Sequence, residues 1–185
     1  MHREDNMRTF FAIEVPAAVR KIISDFVENE AEKGLPIKWV KFENMHITLK
    51  FLGEIDEGLK AEIAPVVGGI VRQHSPFMVQ LGGLGCFPSP RNPRVIWVGL
   101  KQGGDEISAV ATELEEELAR SGFKEERRFH PHLTIGRVKS YCNVENILTK
   151  TISTEPFHIS SLVLFESTLK PEGPIYTALD KFSFS

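Results

Sequence analysis

The 185-residue sequence has only two cysteines, Cys86 and Cys142, and no Cys-x-x-Cys pair. That excludes a cysteine metal knuckle or a dithiol redox centre, and two scattered thiols suit a reducing compartment. There is no apolar run approaching the roughly 20 residues that a membrane-spanning helix needs. The start, Met1 to Asn6, is polar and charged, and the apolar stretch from Phe10 is interrupted by Glu14 and Pro16, which makes a poor secretory signal. A cytoplasmic protein with no membrane partner is therefore expected, with residues 1–6 as a short disordered extension. An excess of positive charge is also missing. The net charge of −3 argues against a protein that coats nucleic acid by phosphate neutralisation alone. Residues 120–139 are a local exception, with Arg120, Lys124, Arg127, Arg128, Arg137 and Lys139 against Glu125 and Glu126. Charge alone leaves open whether they form a basic cleft or a solvated face.

What the chain does have is an internal repeat. Strand-like Arg8–Val15 is followed by a helical pattern over 17–33, whose stripe of Val19, Ile22, Ile23, Phe26 and Val27 ends at Gly34. Strands are expected near 37–42 and 46–52. A helix over 57–73 should be kinked or broken by Pro65 and Gly68-Gly69, and a strand should follow at 77–84. The second half repeats this order. It has a strand at 94–100, a helix over 105–121 ended by Gly122, a short strand, and a strand at 132–138. A helix near 144–151 capped by Asn143 and a strand at 157–165 complete the copy. One more strand, 175–182, has no counterpart. Arg8 to Arg94 and His46 to His132 are both 86 positions apart, Gly34 to Gly122 is 88, and Pro76 to Pro156 is 80. Two copies, about 8–86 and 94–166, point to one two-lobed pseudo-symmetric domain spanning 1–185 rather than a solenoid. Helices should cover sheets from outside, and short links such as Glu43-Asn44-Met45 suggest antiparallel hairpins.

Each half carries a His-x-Thr strand, His46-Ile47-Thr48 and His132-Leu133-Thr134. Side chains two apart share a strand face, so each His lies beside its Thr with apolar residues behind. If the sheets pack face to face, both pairs look into one cleft. Imidazole titrates near neutral pH, so one ring can accept a proton while the other donates one. Thr hydroxyls can hydrogen-bond phosphate oxygens as charge develops. This is acid/base machinery for a phosphoester, with no metal or cofactor expected. A single His-x-Thr would carry little weight, and the matched offset is what gives the pair meaning. A metal site of His46, His130 and His132 is the weaker alternative, since it lacks a supporting carboxylate. Strict alternation turns Arg137 away from His132. It reaches the cleft only if the strand bulges or ends near Gly136.

Longer segments surround these motifs: Arg8-Thr9-Phe10-Phe11-Ala12-Ile13, Glu43 to Gly53, Phe87-Pro88 with Pro93 to Trp97, Phe129 to Arg137, and Glu166-Ser167 through Pro171 to Gly173-Pro174-Ile175-Tyr176. With them the chain resembles the two-histidine phosphoesterases, specifically the RNA 2′,3′-cyclic phosphodiesterases once named 2′-5′ RNA ligases. The resemblance implies a bilobal α+β fold with an antiparallel sheet in each lobe and the active site in the cleft between them. It implies metal-independent hydrolysis of a 2′,3′-cyclic phosphate at an RNA 3′ end, or on a short oligonucleotide, to a 2′-phosphate. The reverse reaction joins RNA ends through a 2′-5′ bond. By the same resemblance His46 is the proton donor, His132 the acceptor, and Arg137 a phosphate contact beside Thr48 and Thr134. A monomer is expected. The alternatives are a non-catalytic RNA-end binding module and an esterase for small cyclic nucleotides or 2′-5′ oligonucleotides.

Overall fold

The computed structural model describes residues 6–126 and 128–185. The expected disordered start therefore lies, but for Asn6, outside the described residues, as does Arg127. Nine strands and four helices run in the order β1 (Met7–Glu14), α1 (Ala17–Ala31), β2 (Ile37–Trp39), β3 (His46–Ile55), α2 (Glu57–Val71), β4 (Phe77–Ser89), β5 (Asn92–Gln102), α3 (Gly104–Arg120), β6 (Leu133–Val138), α4 (Glu145–Leu148), β7 (Phe157–Ile159), β8 (Ser161–Lys170) and β9 (Gly173–Ser183) among these residues. They build two antiparallel sheets, β3-β1-β8-β9 and β2-β6-β5-β4-β7. Each element buries one apolar face in a continuous core. Ile23 and Val27 of α1, Ile63 and Val67 of α2, and Val110 and Leu114 of α3 pack with Phe11, Ile47, Ile96 and Leu133 from the strands. The expected α+β architecture is present.

The halves are interleaved, which the repeat alone does not reveal. β4 closes the first half yet pairs with β5, while β8 closes the second half yet pairs with β1. The expected hairpin across residues 43–45 does not form, because β2 pairs with β6 and β3 pairs with β1. A 3-10 turn, Phe42–Asn44, carries the chain from one sheet to the other. The Arg20 guanidinium holds it, lying 4.5 Å from the Phe42 ring centroid and donating to the Phe42 carbonyl at 3.2 Å. The single strand expected over 157–165 divides in the same way. β7 pairs with β4 and β8 with β1, with the chain changing sheets at Ser160.

Two other expectations are corrected. α2 runs unbroken through Pro65. Proline removes one backbone donor, and the buried face of Ile63, Val67, Ile70 and Val71 outweighs that loss, helped by Asp56, whose Oδ1 accepts from the Leu59 N–H at 2.7 Å. Among the described residues the short strand expected ahead of His132 is absent, and side chains hold the segment instead. Lys50 Nζ donates to the Lys124 carbonyl at 2.9 Å, and the Glu115 carboxylate accepts from the Glu126 N–H at 3.0 Å. Gly34 and Gly122 follow the ends of α1 and α3 with φ of +68° and +90°, as expected. The helix expected over 144–151 shortens to Glu145–Leu148, and its N-cap is Val144 rather than Asn143, whose Oδ1 accepts from the Glu145 N–H at 2.8 Å.

Candidate active site

A cleft of about 470 Å³ opens between the sheets, and His46, Thr48, His132, Thr134 and Arg137 all line it. From the first sheet come also Arg8, Phe10, Phe51, Ser167, Leu169 and Tyr176. The second sheet and the crossover add Lys38, Trp39, Lys41 and Asn44.

The two histidines are held in matching ways. His132 Nδ1 lies 2.6 Å from the carbonyl of His130. A carbonyl only accepts, so Nδ1 carries the hydrogen and Nε2 is left with its lone pair. The His46 ring hydrogen-bonds the backbone of Asn44, also two residues earlier, and its Nε2 lies 2.9 Å from Thr48 Oγ1. Each strand's residue at −2 therefore orients the ring.

Aromatic rings complete both holders. His46 stacks on Phe10 at 4.9 Å and meets the edge of Tyr176 at 5.1 Å. His132 meets Phe87 edge-on at 5.2 Å and lies 6.2 Å from Trp97. Trp97 reaches that position because Gly85 opposite it has no side chain. A Cβ there would come within 2.1 Å of the indole.

Burial beneath these rings pushes His46 down to about 4, with the Arg137 charge adding to the effect and the hydrogen bond to Asn44 opposing it. His132 is lowered for the same first reason, burial. The His130 carbonyl raises it, while the nearby His130 and Arg137 charges lower it. Tyr176 is raised by burial, against the pull of Arg137 and Arg8.

Strict alternation would turn Arg137 out of the cleft, and a bulge turns it in. Trp97 pairs with Thr134 and Ile96 with Gly136, so Ile135 has no partner on β5. Beyond Ile135 the faces exchange, and Arg137 joins Thr134 on the cleft side. The first sheet repeats the device. Ala12 pairs with Thr48 and Phe11 with Lys50, so Leu49 is skipped. Lys50 therefore turns inward to Glu115, at 2.7 Å, and Phe51 turns into the cleft. Leu49 and Ile135 are 86 positions apart, as are Phe51 and Arg137. The two strands thus offer a cation and an aromatic ring at equivalent places. Phe51, 53% exposed, is one cleft residue that sequence reasoning passed over, with Arg8, Lys38 and Lys41 among the others. The shared offset with Arg137 was the available signal for Phe51.

Among the described basic residues of the run 120–139, only Arg137 lines the cleft. Among the described residues no group of three or more His, Cys, Asp or Glu side chains lies close enough together to hold a metal ion. His130, proposed for such a group, instead packs 5.1 Å from Trp97.

Comparison with known proteins agrees with this geometry. The model of the 2′-5′ RNA ligase superfamily matches residues 14–170. A protein of Thermotoga maritima named RNA 2′,3′-cyclic phosphodiesterase is 39% identical over 180 residues, covering 96% of each chain. One of the same name from Methanocaldococcus jannaschii is 38% identical, over 95% of this chain and all of its own. The structure is similar to the crystal structure of E. coli LigT in its apo form, with a TM-score of 0.82 at 26% identity, covering 97% of this chain and 98% of the other. This chain belongs to the 2′-5′ RNA ligase superfamily.

Proposed function

We propose that this protein is an RNA 2′,3′-cyclic phosphodiesterase that opens a terminal cyclic phosphate to a 2′-phosphate. The observation that carries this is the matched pair of imidazoles in one cleft, each oriented by the backbone two residues before it. In the reaction His132 Nε2 takes a proton from water as the water oxygen bonds to phosphorus. The bond from phosphorus to the 3′ oxygen breaks, and His46 Nε2 supplies the proton that this oxygen needs. One water is added, and the phosphate stays on the 2′ oxygen. The Thr48 and Thr134 hydroxyls donate to the non-bridging oxygens, and Arg137 balances their charge. With a 5′-hydroxyl in place of water, the same path forms a 2′-5′ phosphodiester. Phe51 offers a ring face to the nucleobase.

The relatives' shared name and the similarity to LigT, which has also been crystallised with 3′-AMP, support a nucleotide end as the substrate. The test is to supply 2′,3′-cyclic nucleotides and cyclic-phosphate RNAs in excess EDTA and analyse the products. The 2′-phosphate is expected, with His46→Ala and His132→Ala each lowering turnover by at least about 10²-fold. Absence of turnover from pH 5 to 9 would sink the proposal.

A further inference from the structure

The cleft carries more positive charge than a cyclic phosphate uses. Among the described residues Arg8, Lys38, Lys41 and Arg137 line it against a single carboxylate, Glu172. The protein as a whole is acidic, at −3, so this excess is local. Among the described residues none of the four cations is ion-paired within the protein. A 2′,3′-cyclic phosphate is a monoanion, and Arg137 with the two threonines suffices for it.

The remaining cations are not scattered. Lys38 is the cross-strand partner of Arg137, so it stands beside the phosphate contact on the cleft face. Lys41 lies three residues on, where the chain crosses toward Asn44 and His46 and the Val40 N–H bonds the Ile135 carbonyl at 2.9 Å. The two lysines thus line the cleft on the side where Arg137 stands. Both are exposed, so a chain held by them can run out to solvent.

We propose that Lys38 and Lys41 form a second phosphate subsite, which holds the phosphodiester on the 5′ side of the terminal nucleoside and makes an RNA strand of two or more nucleotides the favoured substrate. This rests on the proposed phosphodiesterase activity and names the substrate within it. The same chemistry could recognise the 5′-phosphate of a free nucleotide, so the substrates tested must separate the two.

The experiment compares three substrates: a 2′,3′-cyclic mononucleotide with a 5′-hydroxyl, the same nucleotide with a 5′-phosphate, and a dinucleotide ending in the cyclic phosphate. Each is tested with the unaltered protein and with Lys38→Ala, Lys41→Ala and the double variant. The dinucleotide should have the highest kcat/KM. The double variant should lose about tenfold on it and stay within about twofold on the 5′-hydroxyl mononucleotide. The salt dependence on the dinucleotide should flatten by roughly 0.7 per lost phosphate contact. Equal losses on all three substrates, or none on any, would overturn the subsite. A full gain from the 5′-phosphate alone, with nothing added by the second nucleoside, would overturn the preference for an RNA strand. A protein that turns over none of the three fails as a phosphodiesterase, which is a separate result from failing this test.

Discussion

His46 lies under Phe10 and Tyr176, and burial lowers both it and His132 below the ordinary imidazole value of 6.5. The general acid must nevertheless hold a proton. Because kcat/KM reports the free enzyme, its maximum should fall below pH 6.5, between the two lowered values. The bound phosphate's negative charge favours the imidazolium forms, so the kcat maximum should lie at higher pH than the kcat/KM maximum. Coincident maxima at or above pH 7 would contradict this assignment. The same burial has a consequence for stability. The unfolded chain takes up a proton at His46 near pH 6.5, whereas the folded chain resists until about 4. Its contribution is complete above 6.5 and lost as the pH falls toward 4. Urea unfolding of His46→Gln should therefore weaken less than that of the unaltered protein over this range. Arg137, exposed on the cleft face, should act mainly through binding. Arg137→Ala should raise KM about tenfold or more, and Arg137→Lys should recover only part, because a lysine cannot bind bidentately.

The strands β3 and β6 show how far the sequence could be read. Alternation and the 86-residue offset were enough to pair His46 with Thr48 and His132 with Thr134 on one cleft. They were not enough for Arg137, Lys50 and Phe51. Each lies just past a bulge, at Ile135 or Leu49, and a bulge depends on partner strands that a single sequence does not display. The missed pairing of β2 with β6 has a similar cause. The three-residue link resembled a hairpin turn, while the actual partner lay about a hundred residues away. Lys50 explains why its bulge matters. With 1% of its side chain exposed, it bonds Glu115 and the Lys124 carbonyl, and Glu115 holds the Glu126 N–H on the segment leading to His132. Glu115→Ala leaves the buried Lys50 charge without its counter-charge and should destabilise by about 3–5 kcal/mol in urea unfolding. Replacing both partners, Lys50→Met with Glu115→Leu, should cost less than the single change. Gly85→Ala probes the other strand pair. Its Cβ would meet the Trp97 ring, so the indole must move off Phe87 and His132. Activity should fall with a shifted pH profile, while Gly69→Ala, where a Cβ meets nothing within 4 Å, should leave the profile unchanged.

On the scale of the whole molecule, the interleaving joins what the repeat divides. β1 lies between β3 of its own half and β8 of the other, and β4 lies between β5 and β7, both from the second half. The cleft therefore depends on pairings that span most of the chain, as in Thr9 with Glu166 and Lys38 with Arg137. Neither half can complete a sheet by itself, since each would expose strand edges and the apolar face that the other covers. The protein should consequently unfold as one unit although its sequence is doubled. Urea transitions followed by far-ultraviolet circular dichroism, which reports both sheets, should coincide with those followed by fluorescence of Trp39 and Trp97, which sit in the β2-β6-β5 part of one sheet. Residues 1–90 and 91–185 produced separately should each lack a cooperative transition, and mixing them should restore both the transition and the cleft's activity. Two separated transitions in the intact chain, or a folded half on its own, would mean that the lobes are independent and that the exchanged strands β4 and β8 add little to the stability of either.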